Sequence, residues 1–263
     1  MGRAVLVGLV LGGCGFQLPA GSALVDGAPV GGDDGSALDQ PNAAPTIYVG
    51  SETMFGVADV ATRTATVRGT FVDSATGQGL TMYELTMGAN GELLGITNQP
   101  AKLYTIDPAT GAGTLRAVLD RDDAYWGATT APAGELESGA VVFAGTPSGV
   151  LYRIDPATGH VTTVGSFGSS FTVSGDLVWV HGHGLYGTMN SSTCDDCLVA
   201  ISPTTGQATL LRALDAGDFY AAGSRDGKLY VMRGAGECYE LDPVTGATIA
   251  QWSMPGAWSV AAP

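Results

Sequence analysis

Charge is scarce in this chain, and positive charge scarcer still. Asp, Glu, Lys and Arg make up 14% of the 263 residues, with 11 basic against 25 acidic, for a net charge of −14. Nucleic acid and anionic bilayer surfaces both need a basic footprint, so neither is expected as the main partner. Helical periodicity is missing too: no 3.6-residue apolar pattern runs longer than about ten residues, which argues against a helical domain. The apolar run from Ala4 to Leu11 is too short to span a bilayer. Catalytic signatures are absent as well, with no GxSxG, no HExxH and only His160, His181 and His183 as imidazole bases. What the chain has is glycine, 40 residues, roughly twice ordinary usage. Hydrophobic residues at 45% suffice for a core and exclude wholesale disorder. Gly, Thr, Val and aromatics with little charge predict short strands and tight turns.

One unit recurs five times. MFGVADVATRTATV, LYTIDPATGAGTL, LYRIDPATGHVTTV, LVAISPTTGQATLL and CYELDPVTGATIA align through a central turn marked by Asp59, Asp107, Asp155, Ser202 and Asp242. These markers are spaced by 48, 48, 47 and 40 residues, which matches a four-stranded propeller blade. The turn has a mechanism. Asp accepts from backbone N–H groups two or three residues on, Pro presets the next φ, and Gly takes the left-handed position that closes the hairpin. Strand-like runs precede each hairpin at TIYVGSE, ELLGITN, AVVFAGT, GLYGTMN and KLYVMRG. Inner strands are expected before those, at YELTMGA, YWGATTA, LVWVHG and FYAAGS. The first blade lacks its inner strand, and the chain ends on AWSVAAP. The expected fold is therefore all-β, a five-bladed β-propeller of four-stranded antiparallel blades. Trp258 to Ala262 would close it by joining the blade begun at Thr46.

The LYxIDPxTGxxTxV pattern resembles the superfamily of YVTN-type, lactonase-like and quinoprotein-like propellers, over nearly all of residues 46–263. That resemblance implies a propeller that serves many activities. The quinoprotein blade continues from its TG to a docking tryptophan; here only the last copy has one nearby, Trp252, at the wrong spacing, so a quinone cofactor is not expected.

At the N-terminus, Arg3 precedes the apolar run, and LGGC (Leu11 to Cys14) resembles a bacterial lipobox. In such lipoproteins the chain is cut before the cysteine, whose thiol receives a diacylglyceryl group. Residues 1–13 are accordingly expected as a lipoprotein signal peptide, and Cys14 as the lipidation site. Residues 14–44 form a tether rich in Gly, Ala, Pro and Asp, unable to offset its ordering entropy by burial. The propeller is expected over 45–263. Gly15, not Asp, follows the cysteine, which points away from inner-membrane retention. The expected address is a bacterial cell envelope, with the outer membrane or cell surface favoured and the membrane touched only through the lipid.

Candidate chemistry is thinner. His181 and His183 with Cys194 and Cys197 have metal-ligand types, but a strand of roughly 20 Å separates the two pairs, at ~3.3 Å per residue. In an oxidising compartment Cys194 and Cys197 are expected to form a local disulfide. Cys238 stands where other copies have Leu103 and Leu151, so it reads as a buried inert thiol. Of the acids only Glu84 lies on an expected inner strand, so no channel-facing carboxylate pair is predicted. Aromatics mark every inner strand: Tyr83, Tyr125 with Trp126, Trp179, Phe219 with Tyr220, and Trp258. Together with Glu84 they are the ligand-binding candidates, because rings stack on sugar faces or apolar groups, or else wedge between blades. Strand alternation predicts that in each adjacent aromatic pair one ring is a wedge and the other a contact. Loops leading into inner strands are acidic at Asp73, at Asp120, Asp122 and Asp123, and at Asp215 and Asp218. Asp120, Asp122, Asp123 and Asp218 are candidate oxygen ligands for Ca²⁺; no other cofactor is expected. The functional expectation is a monomeric, non-catalytic binding or scaffolding propeller for an envelope protein, peptide or glycan. The rival expectation is a lactonase-like or glycan-cleaving enzyme using channel carboxylates and a divalent ion.

Overall fold

The computed structural model describes residues 46–168, 170–214, 217–253 and 259–261. Cys14, the signal segment, the tether, Asp215 and Trp258 lie outside the described residues. The chain opens with β1 (Thr46–Gly50), β2 (Met54–Asp59) and β3 (Thr64–Thr70), then a short β4 (Val72–Asp73). The second blade is β5 (Met82–Met87), β6 (Leu93–Thr97), β7 (Lys102–Ile106) and β8 (Ala112–Val118), and the third is β9 (Gly127–Ala131), β10 (Val141–Gly145), β11 (Val150–Ile154) and β12 (Val161–Ser166). The fourth follows as β13 (Thr172–Val180), β14 (Gly184–Ser191), β15 (Cys194–Ile201) and β16 (Ala208–Ala213). The fifth is β17 (Phe219–Arg225), β18 (Lys228–Arg233), β19 (Glu237–Leu241) and β20 (Thr248–Ser253), and β21 (Ser259–Ala261) ends the description.

Five antiparallel sheets result, each ordered from the inside outward, and β4 adds a parallel strand to the outer edge of the second blade. Together they form a five-bladed β-propeller. Closure follows the expected route. β21 pairs antiparallel with β1, setting Gly50 opposite Ser259 and Tyr48 opposite Ala261, so the first blade draws strands from both ends of the described domain.

The repeated turn is built as its residues demand. Asp107 Oδ1 accepts from Ala109 N at 2.8 Å, its Oδ2 accepts from Thr110 Oγ1 at 2.8 Å, and Gly111 sits at φ 80°. Asp155 and Asp242 repeat this with Gly159 at φ 78° and Gly246 at φ 68°. In the first copy Arg63 takes the left-handed position at φ 60° in place of glycine. A further copy of the turn lies outside the blade hairpins. Asp73 accepts from Ala75 N and Thr76 N at 2.9 Å, with Gly77 at φ 72°, and closes the excursion after β4.

Blade faces bury the apolar half of each alternating strand. Phe143, Leu151, Leu177, Trp179 and Leu185 belong to one cluster that joins the third and fourth blades. Close packing needs glycine at Gly165, where a Cβ would stand 2.0 Å from the backbone Thr205 O. Three boundaries that matter to the site differ from expectation. The inner strand of the third blade begins at Gly127, so Tyr125 and Trp126 lie just before it. The fourth inner strand begins at Thr172, five residues before Leu177, because a bulge between Val173 and Leu177 lets the strand continue through polar residues. Cys194 opens β15 itself, so the cysteine pair lies within a strand end and not in the hairpin before it.

Candidate functional site

All inner strands run in the same direction, so their starts lie at one end of the ring. Three of them are irregular there. The pairing of β5 shifts between Met82 and Glu84, that of β17 between Phe219 and Ala221, and that of β13 between Val173 and Leu177. A bulge re-aims the side chain it carries, and two of these bulges hold Tyr83 and Tyr220.

The aromatic pairs divide by burial. Tyr125 is fully buried, donates its hydroxyl to Arg121 O at 2.9 Å, and meets Tyr152 edge-on at 6.2 Å. Its backbone is clamped by Asn98, whose amide both donates to Tyr125 O and accepts from Tyr125 N at 3.1 Å. The next residue, Trp126, is 44% exposed. Phe219 is buried against Tyr239 at 5.2 Å, whereas its neighbour Tyr220 is half-buried and donates to Asp218 Oδ1 at 3.2 Å. Tyr83 is half-buried at the start of β5. Burial takes Tyr125, Phe219 and Trp179 out of reach of a ligand. Trp179 stacks on Phe143 at 6.4 Å and donates its indole N–H to Glu135 Oε2 at 2.8 Å. Among the described candidates the accessible rings at the mouth are Tyr83, Trp126 and Tyr220.

The acidic loop beside Trp126 is held by its own carboxylates. Asp120 accepts from Val161 N at 2.9 Å and pairs with His160 Nδ1 at 2.5 Å, and these two bonds hold its carboxyl below the ordinary range. Asp122 accepts from Ala101 N at 2.9 Å, and Asp123 accepts from the Tyr152 hydroxyl at 3.3 Å. The Arg121 guanidinium lies 5.0 Å over the Tyr152 ring. Each carboxylate thus faces a different partner. Among the described residues no group of three or more His, Cys, Asp or Glu side chains converges as a metal ion would need.

Cys194 and Cys197 are bonded, with Cα atoms 5.9 Å apart. The bridge holds a turn whose Asp196, at φ 66°, accepts from Ser174 Oγ and from Phe219 N at 3.1 Å. That carboxylate ties the fourth blade to the start of the fifth inner strand. Cys238 is wholly buried, and burial pushes its thiol up to about 12.

The largest departure from expectation lies on the axis. Glu84 is 3% exposed, so it is no surface contact, and it has a partner: Asp176, fully buried on β13. The two carboxyls hydrogen-bond to each other. β5 and β13 are not neighbours in the ring, since β9 stands between them, so the pair reaches across the channel. Asp176 Oδ1 accepts from Leu177 N at 2.7 Å and from Ala128 N of β9 at 3.1 Å, and Oδ2 accepts from Ala222 N of β17 at 3.4 Å. Four of the five inner strands meet at these two side chains. Burial raises both carboxyls, Asp176 to about 8 and Glu84 well above its ordinary range. Sequence reasoning missed Asp176 because the expected strand began one residue later. The signal was present in the run TVSGDLVWV, which keeps strand composition on both sides of a Gly-Asp pair.

No protein-family model matches the chain, and no curated protein does. Solved structures do. A chain of a nidogen/laminin complex superposes with a TM-score of 0.51 at 8% identity, over 82% of this chain and 97% of that one. The likeness is one of fold. A protein of unknown function from Bacteroides caccae scores 0.45 at 14% identity, over 79% of this chain and 72% of that one. The computationally designed Ika8 protein scores 0.42 at 14% identity, over 83% of this chain; the chain covers 62% of the designed protein's length.

Proposed function

We propose that this protein is a non-catalytic binding or scaffolding module whose ligand, a protein segment, peptide or glycan, sits over the end of the ring where the inner strands start. The observation that carries this reading is the contrast of Trp126, 44% exposed, with fully buried Tyr125 beside it. An indole left in water serves no core, and flat rings at a channel mouth suit stacking on sugar faces or apolar side chains. Half-buried Tyr83 and Tyr220 extend the platform. The rival enzyme would need channel carboxylates that a substrate can reach, whereas Glu84 and Asp176 are both buried and Asp176 is bonded to backbone N–H groups of three strands. The N-terminal sequence adds an envelope anchor through lipidated Cys14 to the proposal.

The test is a glycan and peptide array probed with the protein and with Trp126→Ala and Tyr220→Ala. Retention that falls about tenfold or more in these variants, with unchanged melting, supports the platform; stacking is worth ~1–3 kcal/mol per ring on comparable surfaces. Ligand retention indifferent to both substitutions would overturn it. Detergent-phase partitioning of Cys14→Ser tests the anchor, and partitioning that survives would discard it.

A further inference from the structure

We propose that Glu84 and Asp176 share one proton across the axis of the ring and form a pH-sensitive clasp, which locks the inner strands while the proton is held and loosens them when it leaves.

Geometry carries the assignment. Two carboxyls that hydrogen-bond to each other need a proton between them, because two carboxylates offer only acceptors. Asp176 already accepts from Ala128 N, Leu177 N and Ala222 N, the role of a carboxylate. The proton therefore rests on Glu84. Its Oε2 is buried and receives no hydrogen bond, an orphan if Glu84 were a carboxylate but not if the carboxyl is the donor. Solvent cannot screen a second charge here, so burial and the facing carboxyl both hold the proton on.

Among the described residues, the strands packed on the pair bring mostly small and uncharged side chains. β9 brings Gly127 and Ala128, β17 brings Ala221 and Ala222, and β14 brings the Thr188 hydroxyl, which accepts from Asp176 N at 3.1 Å. Neither β6 nor β21 contains a titratable residue type. Arg225, at the far end of β17, lies 3.6 Å from Asp226. Burial is the leading cause of both shifts, and the facing carboxyl adds to it for Glu84.

Loss of the proton would leave two facing buried anions on strands otherwise laced by a few side-chain bonds. Thr86 and Thr130 hydroxyls meet at 2.9 Å, Trp179 N donates to Thr129 Oγ1 at 2.8 Å, and Ser224 Oγ donates to Trp179 O at 2.7 Å. The sign follows from linkage. A carboxyl raised by folding stabilises fully below its unfolded value near 4, and that stability is lost as pH rises through the folded value, which for Glu84, the holder of the proton, lies well above the ordinary range.

The experiment is thermal unfolding of the full chain from about pH 5 to about pH 10, with and without EDTA, for the protein, Glu84→Gln and Asp176→Asn. The protein should lose several degrees of Tm as pH climbs on the alkaline side, through the raised range of Glu84. Glu84→Gln keeps a donor facing Asp176 and should flatten that limb, while Asp176→Asn should melt lower throughout, having lost the acceptor. A flat Tm across the range, or an alkaline loss unchanged in Glu84→Gln, would overturn the clasp. A Tm that EDTA lowers and Ca²⁺ restores would overturn it in favour of a cation held between the carboxylates. Infrared spectroscopy covers a variant that fails to fold: the native protein near pH 7 should show the carbonyl stretch of a buried protonated carboxyl, and its absence refutes the shared proton.

Discussion

The molecule uses aspartate in two opposite ways. At the rims of the blades, Asp107 and Asp155 stand in water and accept from backbone N–H groups and a threonine hydroxyl within one turn, which holds both carboxyls below the ordinary range. On the axis, Asp176 accepts from three backbone N–H groups as well, yet its pKa rises. Hydrogen bonds are common to both settings, so they do not decide the direction. Solvent does. At the rim the charge stays hydrated and the bonds favour it; on the axis desolvation outweighs them. One residue type thus acts as a local turn-former outside and as a long-range staple inside.

The comparison breaks most visibly by truncation. Asp176→Ala should cost about 4 kcal/mol in chemical unfolding, since it strands buried N–H groups of three strands. A loss under about 1 kcal/mol would mean that water takes its place. The adjacent rings come next. Tyr125→Ala should cost about 3–4 kcal/mol through the cavity it leaves, while Trp126→Ala should stay within about 0.5 kcal/mol. Equal losses would reject the division into wedge and contact. Replacing Cys194 and Cys197 together by serine should cost about 2 kcal/mol on the chain-entropy estimate for so short a loop, read as a lower unfolding midpoint. The smallest effect belongs to the rim, where Asp155→Ala should cost no more than about 1 kcal/mol because solvent screens the site.

The pH limbs sharpen the same contrast. Depressed rim carboxylates stabilise above their unfolded value near 4, and that stability is lost as pH falls through the lower folded value. The Asp107→Ala and Asp155→Ala pair should therefore soften the acid limb of a Tm-against-pH curve and leave the alkaline limb intact.

What could be read in advance follows the range of the interactions. The turn after each marker needs residues two to four positions apart, so Asp, Thr and Gly declare it in the linear string. Even there context intervenes: Asp73, Thr76 and Gly77 form the same turn but close a loop rather than a blade. Cys194 and Cys197 were legible for the same reason of nearness. Their effect on Phe219 through Asp196 was not, because it acts between blades.

Tyr125 and Trp126 precede β9 and so divide outside any strand, but for Phe219 and Tyr220 strand alternation foretold that one would be inside. It did not say which. The answer depended on Asn98 clamping the Tyr125 backbone and on a bulge at Tyr220, neither of which has a periodic signature.

By itself, then, the sequence determined the number of blades, the chemistry of their turns and the strand that closes the ring. Each of these rests on local geometry repeated at a near-constant spacing. Tertiary structure alone decided the pairing of Glu84 with Asp176. That pair exists only because ring closure brings the second and fourth inner strands across one axis, where burial turns two ordinary acids into a single proton-binding unit.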